Sequence, residues 1–477
     1  MYKKGLYSDL ETSEVEVSTS VNMAQVVIGT APVHMTADPA SATNVPVLCN
    51  NITECRTKLG YSTKFNEYTL CQSMYASFLL FGVAPVVFIN VLDVTKHKKA
   101  VEDTEYSVNN NSIVIDDDVI VSSLTIKKES TPIDKSKYVT EWSDGKLTVN
   151  FTEETTGTVN VAYDAADPSK VTASDIIGAY NTETEKRTGL EVIDDVYAKT
   201  GMVPMLLLAP GYSDDDTVGA MLDAKTNDIA GTFGAIALLD LACPAGTTRA
   251  AAITARKART GGENSIFYFL RLVCNGYTLC YSAYAAAAIM SRATDTAGVI
   301  CNGIDNYALD IDDCVLEDGT SVYYNQPDGN ELVGDGIVTV ISRNGYYAWG
   351  NNTAAYPDDT APENRYINMR LSFIYAQNDF IARNAGREID IRTLEDMLTD
   401  ENIKLAAWSA SGYIINGSMS FEAADNTADD ISNGIFTLRT SLAPNTKAEV
   451  VTNIFHYDKE AVQAAINTLA GTIGGTD

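Results

Sequence analysis

Apolar positions along the chain switch repeatedly between the two-residue rhythm of a strand and the three-to-four-residue rhythm of a helix. Residues 24–30 and 86–91 are nearly continuous apolar runs of strand length, the pattern of strands covered on both faces. Residues 45–49 form a further candidate strand. Between them, Leu70, Met74 and Phe78 recur every four residues and predict a helix over 68–81, followed by Gly82. A shorter helix is predicted over 53–59, with Thr53 as its N-cap and Gly60 closing it.

At about Thr95 the rhythm changes. From there to about Ser169 the chain is polar, rich in Asp, Thr, Ser and Val, and short alternating stretches replace helices. Strands are predicted at 112–115, 119–126, 147–151 and 158–163, with a hairpin turn at Ser143-Asp144-Gly145-Lys146. This reads as an all-β module inserted into an α/β domain. From Val171 the alternation of helices and buried strands resumes. Helices are expected at 174–179, 190–199, 216–230, 248–260 and 281–292, and strands at 205–208, 235–239, 266–272 and 336–342. Strands that alternate with helices imply a mostly parallel sheet covered on both sides.

Past Trp349-Gly350, Met369, Phe373, Ala376 and Phe380 mark a long amphipathic helix. Shorter helices are expected at 392–398 and 403–409, then extended segments at 413–421 and 435–441. Residues 448–457 carry apolar side chains on both faces, Val450 and Ile454 on one and Val451, Phe455 and Tyr457 on the other, which predicts a strand paired and covered on both sides. Asp458 caps a last helix with the stripe Val462, Ile466 and Leu469, expected to end at Gly471. At the other end, Val15, Val17 and Val21 alternate with Glu14, Glu16, Ser18 and Ser20, a strand pattern in an otherwise polar arm. The fold class is therefore an α/β core with an inserted all-β module and an α+β C-terminal domain with extended terminal strands. The division is an N-terminal arm at 1–22, a core in two parts at 23–94 and 171–345, the module at 95–170, and a C-terminal domain at 346–477.

Charge narrows the field. The 477 residues carry 34 Lys+Arg against 63 Asp+Glu, a net charge of −29, so phosphate backbones are repelled and no nucleic-acid partner is expected. No apolar run is long enough to span a bilayer, and two lysines near Met1 without an apolar stretch behind them give no signal peptide. The eight cysteines lack a CxxC pair and are expected to be buried free thiols. The three histidines, His34, His97 and His456, share no metal-ligand spacing with them, so no metal is expected. Phosphate loops, dinucleotide fingerprints and a nucleophile elbow are absent from the sequence, and no cofactor is expected. The run Asn364-Arg365-Tyr366-Ile367-Asn368-Met369-Arg370 interleaves arginines with an aromatic residue, and in so acidic a chain reads as a packed helix start.

Four passages in order resemble the tail sheath proteins of contractile phage tails, R-type bacteriocins and contractile injection systems. The first is Pro46-Val47-Leu48 through Glu54 to Leu59-Gly60, the helix 70–81 and the strand 85–91. The second is Thr188-Gly189-Leu190, then Leu206 to Pro210-Gly211, then 235–240. The third is 285–292 with Asp295, Gly298-Val299 and Asn302. The fourth is Gly345-Tyr346-Tyr347-Ala348-Trp349-Gly350-Asn351-Asn352-Thr353, followed by Arg365-Tyr366-Ile367-Asn368-Met369-Arg370. Asn352, Leu371 and Ile300 depart from the family's pattern.

The resemblance implies a core of subtilisin-like topology without protease activity. It implies a structural subunit, not an enzyme, that stacks as hexameric rings around an inner tube and contracts to drive the tube through a cell envelope. Its partners would be copies of itself, the inner tail tube protein, and baseplate and tail terminator proteins, with no membrane insertion. Its place would be the tail of a virion or contractile particle, assembled in the bacterial cytoplasm. Intersubunit strands would use Val15, Val17, Val21, Val450, Val451, Ile454 and Phe455. The tube-contact candidates are Glu395, Lys404, Val462 and Ile466, although both helices could simply cover a local core. The alternatives are another self-assembling structural protein, or an α/β hydrolase-like enzyme with an unrecognised site.

Overall fold

The computed structural model describes residues 22–473, which divide into two compact units between Pro444 and Asn445. The first is organised by a nine-stranded sheet: β1 (Met23–Gly29), β2 (Pro46–Cys49), β3 (Val86–Asn90), β4 (Val203–Leu208), β5 (Ile236–Asp240), β6 (Ser265–Tyr268), β7 (Ala308–Leu309), β8 (Ile337–Ser342) and β9 (Tyr346–Trp349). Their spatial order is β7-β9-β8-β6-β5-β4-β1-β3-β2. The six strands from β8 to β3 run parallel; β2 at one edge and β9 at the other run antiparallel to them, and β7 pairs antiparallel with β9. Every residue of β1, β3, β4, β5 and β6 is buried, which is why their sequences are near-continuous apolar runs. Tyr346–Trp349, at the start of the expected C-terminal domain, is thus a strand of the central sheet.

The alanine-rich helix Tyr281–Ala293 packs on β1, β4 and β5, its small side chains allowing close approach. The helix Ile367–Asn384 is pinned to the sheet's approach by Asn378, whose Oδ1 accepts from Gly234 N at 3.0 Å and whose Nδ2 donates to Gly234 O at 2.7 Å. Helix Ile391–Ala410 follows, then an antiparallel hairpin of Ile414–Ser420 and Arg439–Pro444.

Residues 98–166 form two sheets of their own, one of four strands and one of three, around a separate apolar cluster that includes Ile113, Leu124, Val149, Phe151 and Val161. Strands Lys98–Ser107 and Thr158–Ala166 pair antiparallel, with Lys98 opposite Ala166, so the chain enters and leaves this region side by side.

Several expectations change. The helix at 53–59 is Ile52–Lys58, and its cap is Asn51, whose side chain accepts from Glu54 N; Thr53 already lies inside. Residues 68–81 form helix Leu70–Met74 continued by a π-helical stretch, Tyr75–Leu80. The strand expected at 119–126 is a 3₁₀ turn, Val121–Ser123, and a strand that starts only at Thr125. The run 266–272 is broken at Leu270, with φ of 90°, so that Arg271–Cys274 joins a different, three-stranded sheet. The helix 216–230 ends at Lys225, and 190–199 is a 3₁₀ stretch, Gly189–Asp195, before helix Val196–Thr200. The helices expected at 392–398 and 403–409 are one, because nothing between them breaks a helix and Glu401 is engaged inside it. All eight cysteines are buried.

Candidate assembly surfaces

In an open α/β sheet, ligands sit in the crevice beyond the carboxyl ends of the parallel strands. Beyond β4 and β5 that region is filled by the chain's own polar side chains. Asp240 is 2% exposed, and its carboxylate accepts from Ser282 N at 2.9 Å, Ser282 Oγ at 2.5 Å and Ser213 Oγ at 3.3 Å. Burial raises its pKa above the ordinary range, with the Arg271 charge working against the rise. Arg259 donates to Asp240 O at 2.9 Å and Ser213 O at 2.7 Å, while Arg271 lies 3.2 Å from Asp214 and 3.3 Å from Glu317. Ser213 and Ser282 are buried and spent on holding Asp240, so this constellation ties loops together.

The other chemically suggestive groups are also engaged within the chain. His97 Nδ1 accepts from Asp93 N at 3.0 Å, and neither ring nitrogen of His34 has a hydrogen-bond partner, so neither histidine bonds a serine or cysteine. Among the described residues no group of three or more His, Cys, Asp or Glu is placed to hold a metal, and no helix is long and apolar enough to cross a membrane. Arg365 lies between the rings of Tyr356 and Tyr366 and donates to Asn352 Oδ1 at 2.8 Å, and Arg370 donates to Asn264 Oδ1 at 2.7 Å. The arginine–aromatic run is a packed corner.

Helices Ile367–Asn384 and Ile391–Ala410 are joined by four charges. Lys404 Nζ reaches Asp379 at 2.5 Å and Glu401 at 2.7 Å, and Arg383 bonds Asp379 at 2.8 Å and also Glu401. Lys404 also stands over the Trp408 ring at 4.5 Å. Of the two charged tube-contact candidates, therefore, Glu395 is exposed, whereas Lys404 is committed to this half-buried cluster. The spacings Asp379/Arg383 and Glu401/Lys404 are visible in sequence as helix pairs, but their meeting across two helices is not.

The expected strand at 448–457 is not formed. Among the described residues it joins no ladder, and its apolar side chains are uncovered: Val450 is 82%, Val451 84%, Ile454 84% and Phe455 90% exposed. The pattern asks for neighbours on both sides; the hairpin of Ile414–Ser420 and Arg439–Pro444 is a two-stranded sheet. The last helix is Lys459–Ile473, running past Gly471, with Asp458 Oδ1 accepting from Ala461 N at 2.9 Å. Val462, Ile466, Leu469 and Ile473 form an exposed stripe along it. Val15, Val17 and Val21 lie outside the described residues.

No protein-family model matches the chain. In sequence it is 26% identical over 424 residues to the tail sheath protein of Burkholderia phage BcepMu, which covers 82% of this chain and 84% of that one. It is 26% identical over 153 residues to the major tail sheath protein of Serratia phage KSP20, covering 30% of this chain and 36% of that protein. Among solved structures it resembles the contracted helical sheath of the anti-feeding prophage, with a TM-score of 0.55 and 15% identity, over 96% of this chain and all (100%) of that one. The contracted PVC sheath complex of an extracellular contractile injection system gives a TM-score of 0.52 at 13% identity, over 96% of this chain and 100% of that one. The fold is that of contractile sheath subunits, a mixed α/β architecture with several sheets. The relatives in sequence are tail sheath proteins of phages, which are structural proteins.

Proposed function

We propose that this chain is the structural subunit of a contractile sheath, in a phage tail or a related injection system. It stacks as hexameric rings around an inner tube and shortens to drive that tube through a cell envelope. The observation that carries the reading is the uncovered two-faced segment 448–457. Exposing Val450, Val451, Ile454 and Phe455 to water costs roughly 1.5–3 kcal/mol per side chain relative to burial, a cost removed when a sheet of a neighbouring subunit takes the segment as an added strand. The N-terminal alternation Val15, Val17 and Val21 is the second such strand. Glu395, Val462 and Ile466 face the tube, and the sheath ends meet baseplate and terminator proteins. Energy is stored in the arrangement of subunits, so no cofactor takes part.

The test is removal of residues 445–477. The remaining unit keeps its core and is expected to stay folded by circular dichroism, yet to sediment as a small species where the full chain builds hollow cylinders. Full-length cylinders from the truncated chain would remove the segment from the mechanism. Removal of residues 1–21 is expected to have the same effect.

A further inference from the structure

Where the inserted sheets meet the core, a histidine is buried at the seam. His34, in the turn Val33–Met35, is 2% exposed, and both its ring nitrogens are without hydrogen bonds. Its ring lies 5.8 Å from that of Tyr68 in the core and 5.2 Å, edge-on, from that of Trp142 in the inserted strand Tyr138–Ser143. Asp118, from the inserted side and 5% exposed, places Oδ1 3.6 Å from His34 Nε2. That carboxylate is held by Lys64 Nζ at 3.2 Å, and Lys64 in turn lies 3.9 Å from Glu67. Next to Asp118, Asp117 accepts from the Tyr163 hydroxyl at 3.1 Å and lies 3.8 Å from Lys99. The Tyr68 hydroxyl also faces Asp118.

An imidazole fits this place in its neutral form. A second proton, on the ring nitrogen that is bare in the neutral form, would put a charge between aromatic rings, away from water, beside a carboxylate already engaged by a lysine. We infer that the seam is a proton-sensitive latch: it seats the inserted sheets on the core while His34 is neutral and lets them part when His34 takes a proton. Burial is the largest influence on His34 and lowers its pKa from 6.5 to about 4; Asp118 and Asp117 oppose the shift, and Lys64 reinforces it. In the parted seam the ring regains water and its ordinary pKa. The latch therefore holds fully above the ordinary value of 6.5 and weakens as pH falls toward about 4. Between pH 7.5 and pH 5 the ratio of parted to seated protein rises about 30-fold.

Hydrogen exchange on the full chain, corrected for the intrinsic pH dependence, reads this ratio. At pH 5, residues 33–35, 64–68 and 138–142 are expected to exchange about 30-fold faster, relative to β4 and β5, than at pH 7.5. His34→Gln, which cannot titrate, is expected to abolish that difference. The same acid response in the variant, or none in the natural chain, would overturn the latch. A second measurement does not depend on the variant folding. The chain has three histidines, so imidazole-labelled protein gives three magnetic-resonance titrations. One ring must stay neutral well below the ordinary range; three ordinary titrations would overturn the inference.

Discussion

Lys404 and Glu395 belong to the same helix but to different environments, and substitution separates them. Lys404→Glu would set a third carboxylate against Asp379 and Glu401, leaving Arg383 as the sole cation of the cluster. Breaking a buried ion pair costs about 3–5 kcal/mol, so a clear fall in melting temperature is expected before docking can be assessed. Glu395→Lys, at an exposed position, is expected to change stability by no more than about 0.5 kcal/mol. It is the cleaner probe of tube docking, read as loss of co-sedimentation with tube while sheath still self-assembles. Gly189, within the Thr188-Gly189-Leu190 match, shows what a motif conceals. Its φ is +57°, and an added Cβ would meet Gly178 N at 2.7 Å and Asp175 O at 2.8 Å. Gly189→Ala is expected to cost at least about 2 kcal/mol in denaturant unfolding. The glycine is legible in the sequence, but the backbone crossing that demands it is not.

Among elements, the inserted sheets are the most separable. They hold their own apolar cluster, and Asp167 N donates to His97 O at 2.9 Å where the two connections run together. Replacing residues 95–169 by a short Gly/Ser linker is expected to leave the central sheet folded and cylinder assembly intact. Circular dichroism and electron microscopy check this, and a folded chain that no longer assembles would assign the module to the lattice. Its strands at Ser112–Ile115 and Lys146–Phe151 are legible because one face is buried and the residues alternate. Lys98–Ser107 is not, since it pairs along one side only and most of its side chains are exposed, so no alternation is required. For the same reason, the buried six-stranded parallel core is readable, whereas the joining of 392–398 and 403–409 into one helix depends on Glu401 finding charged partners across a neighbouring helix.

At the scale of the whole molecule, a charge of −29 opposes the packing of many copies. Repulsion between exposed charges is screened over about 10 Å at 0.1 M salt and about 3 Å at 1 M. Assembly is therefore expected to strengthen with ionic strength and weaken on dilution of salt, as measured by the fraction of sheath that sediments. Salt-independent assembly would mean that specific ion pairs between subunits offset the repulsion. The identity of the architecture is legible because the four matching passages lie in or beside the central sheet. The C-terminal segment 448–457 shows only a pattern, because among the described residues it joins no ladder.

The burial of every cysteine has a practical corollary for watching such a subunit move. Cys71, Cys243, Cys274 and Cys314 are pushed up to about 12 by burial, so at neutral pH their reactive thiolate form is negligible. A maleimide added to the native protein should find an almost silent background, with none of the eight residues removed. One new thiol at an exposed site, such as Thr399→Cys, would then carry a fluorophore at a single known point. Distances between such dyes on adjacent copies would test in real time whether subunits reorient as proposed for contraction.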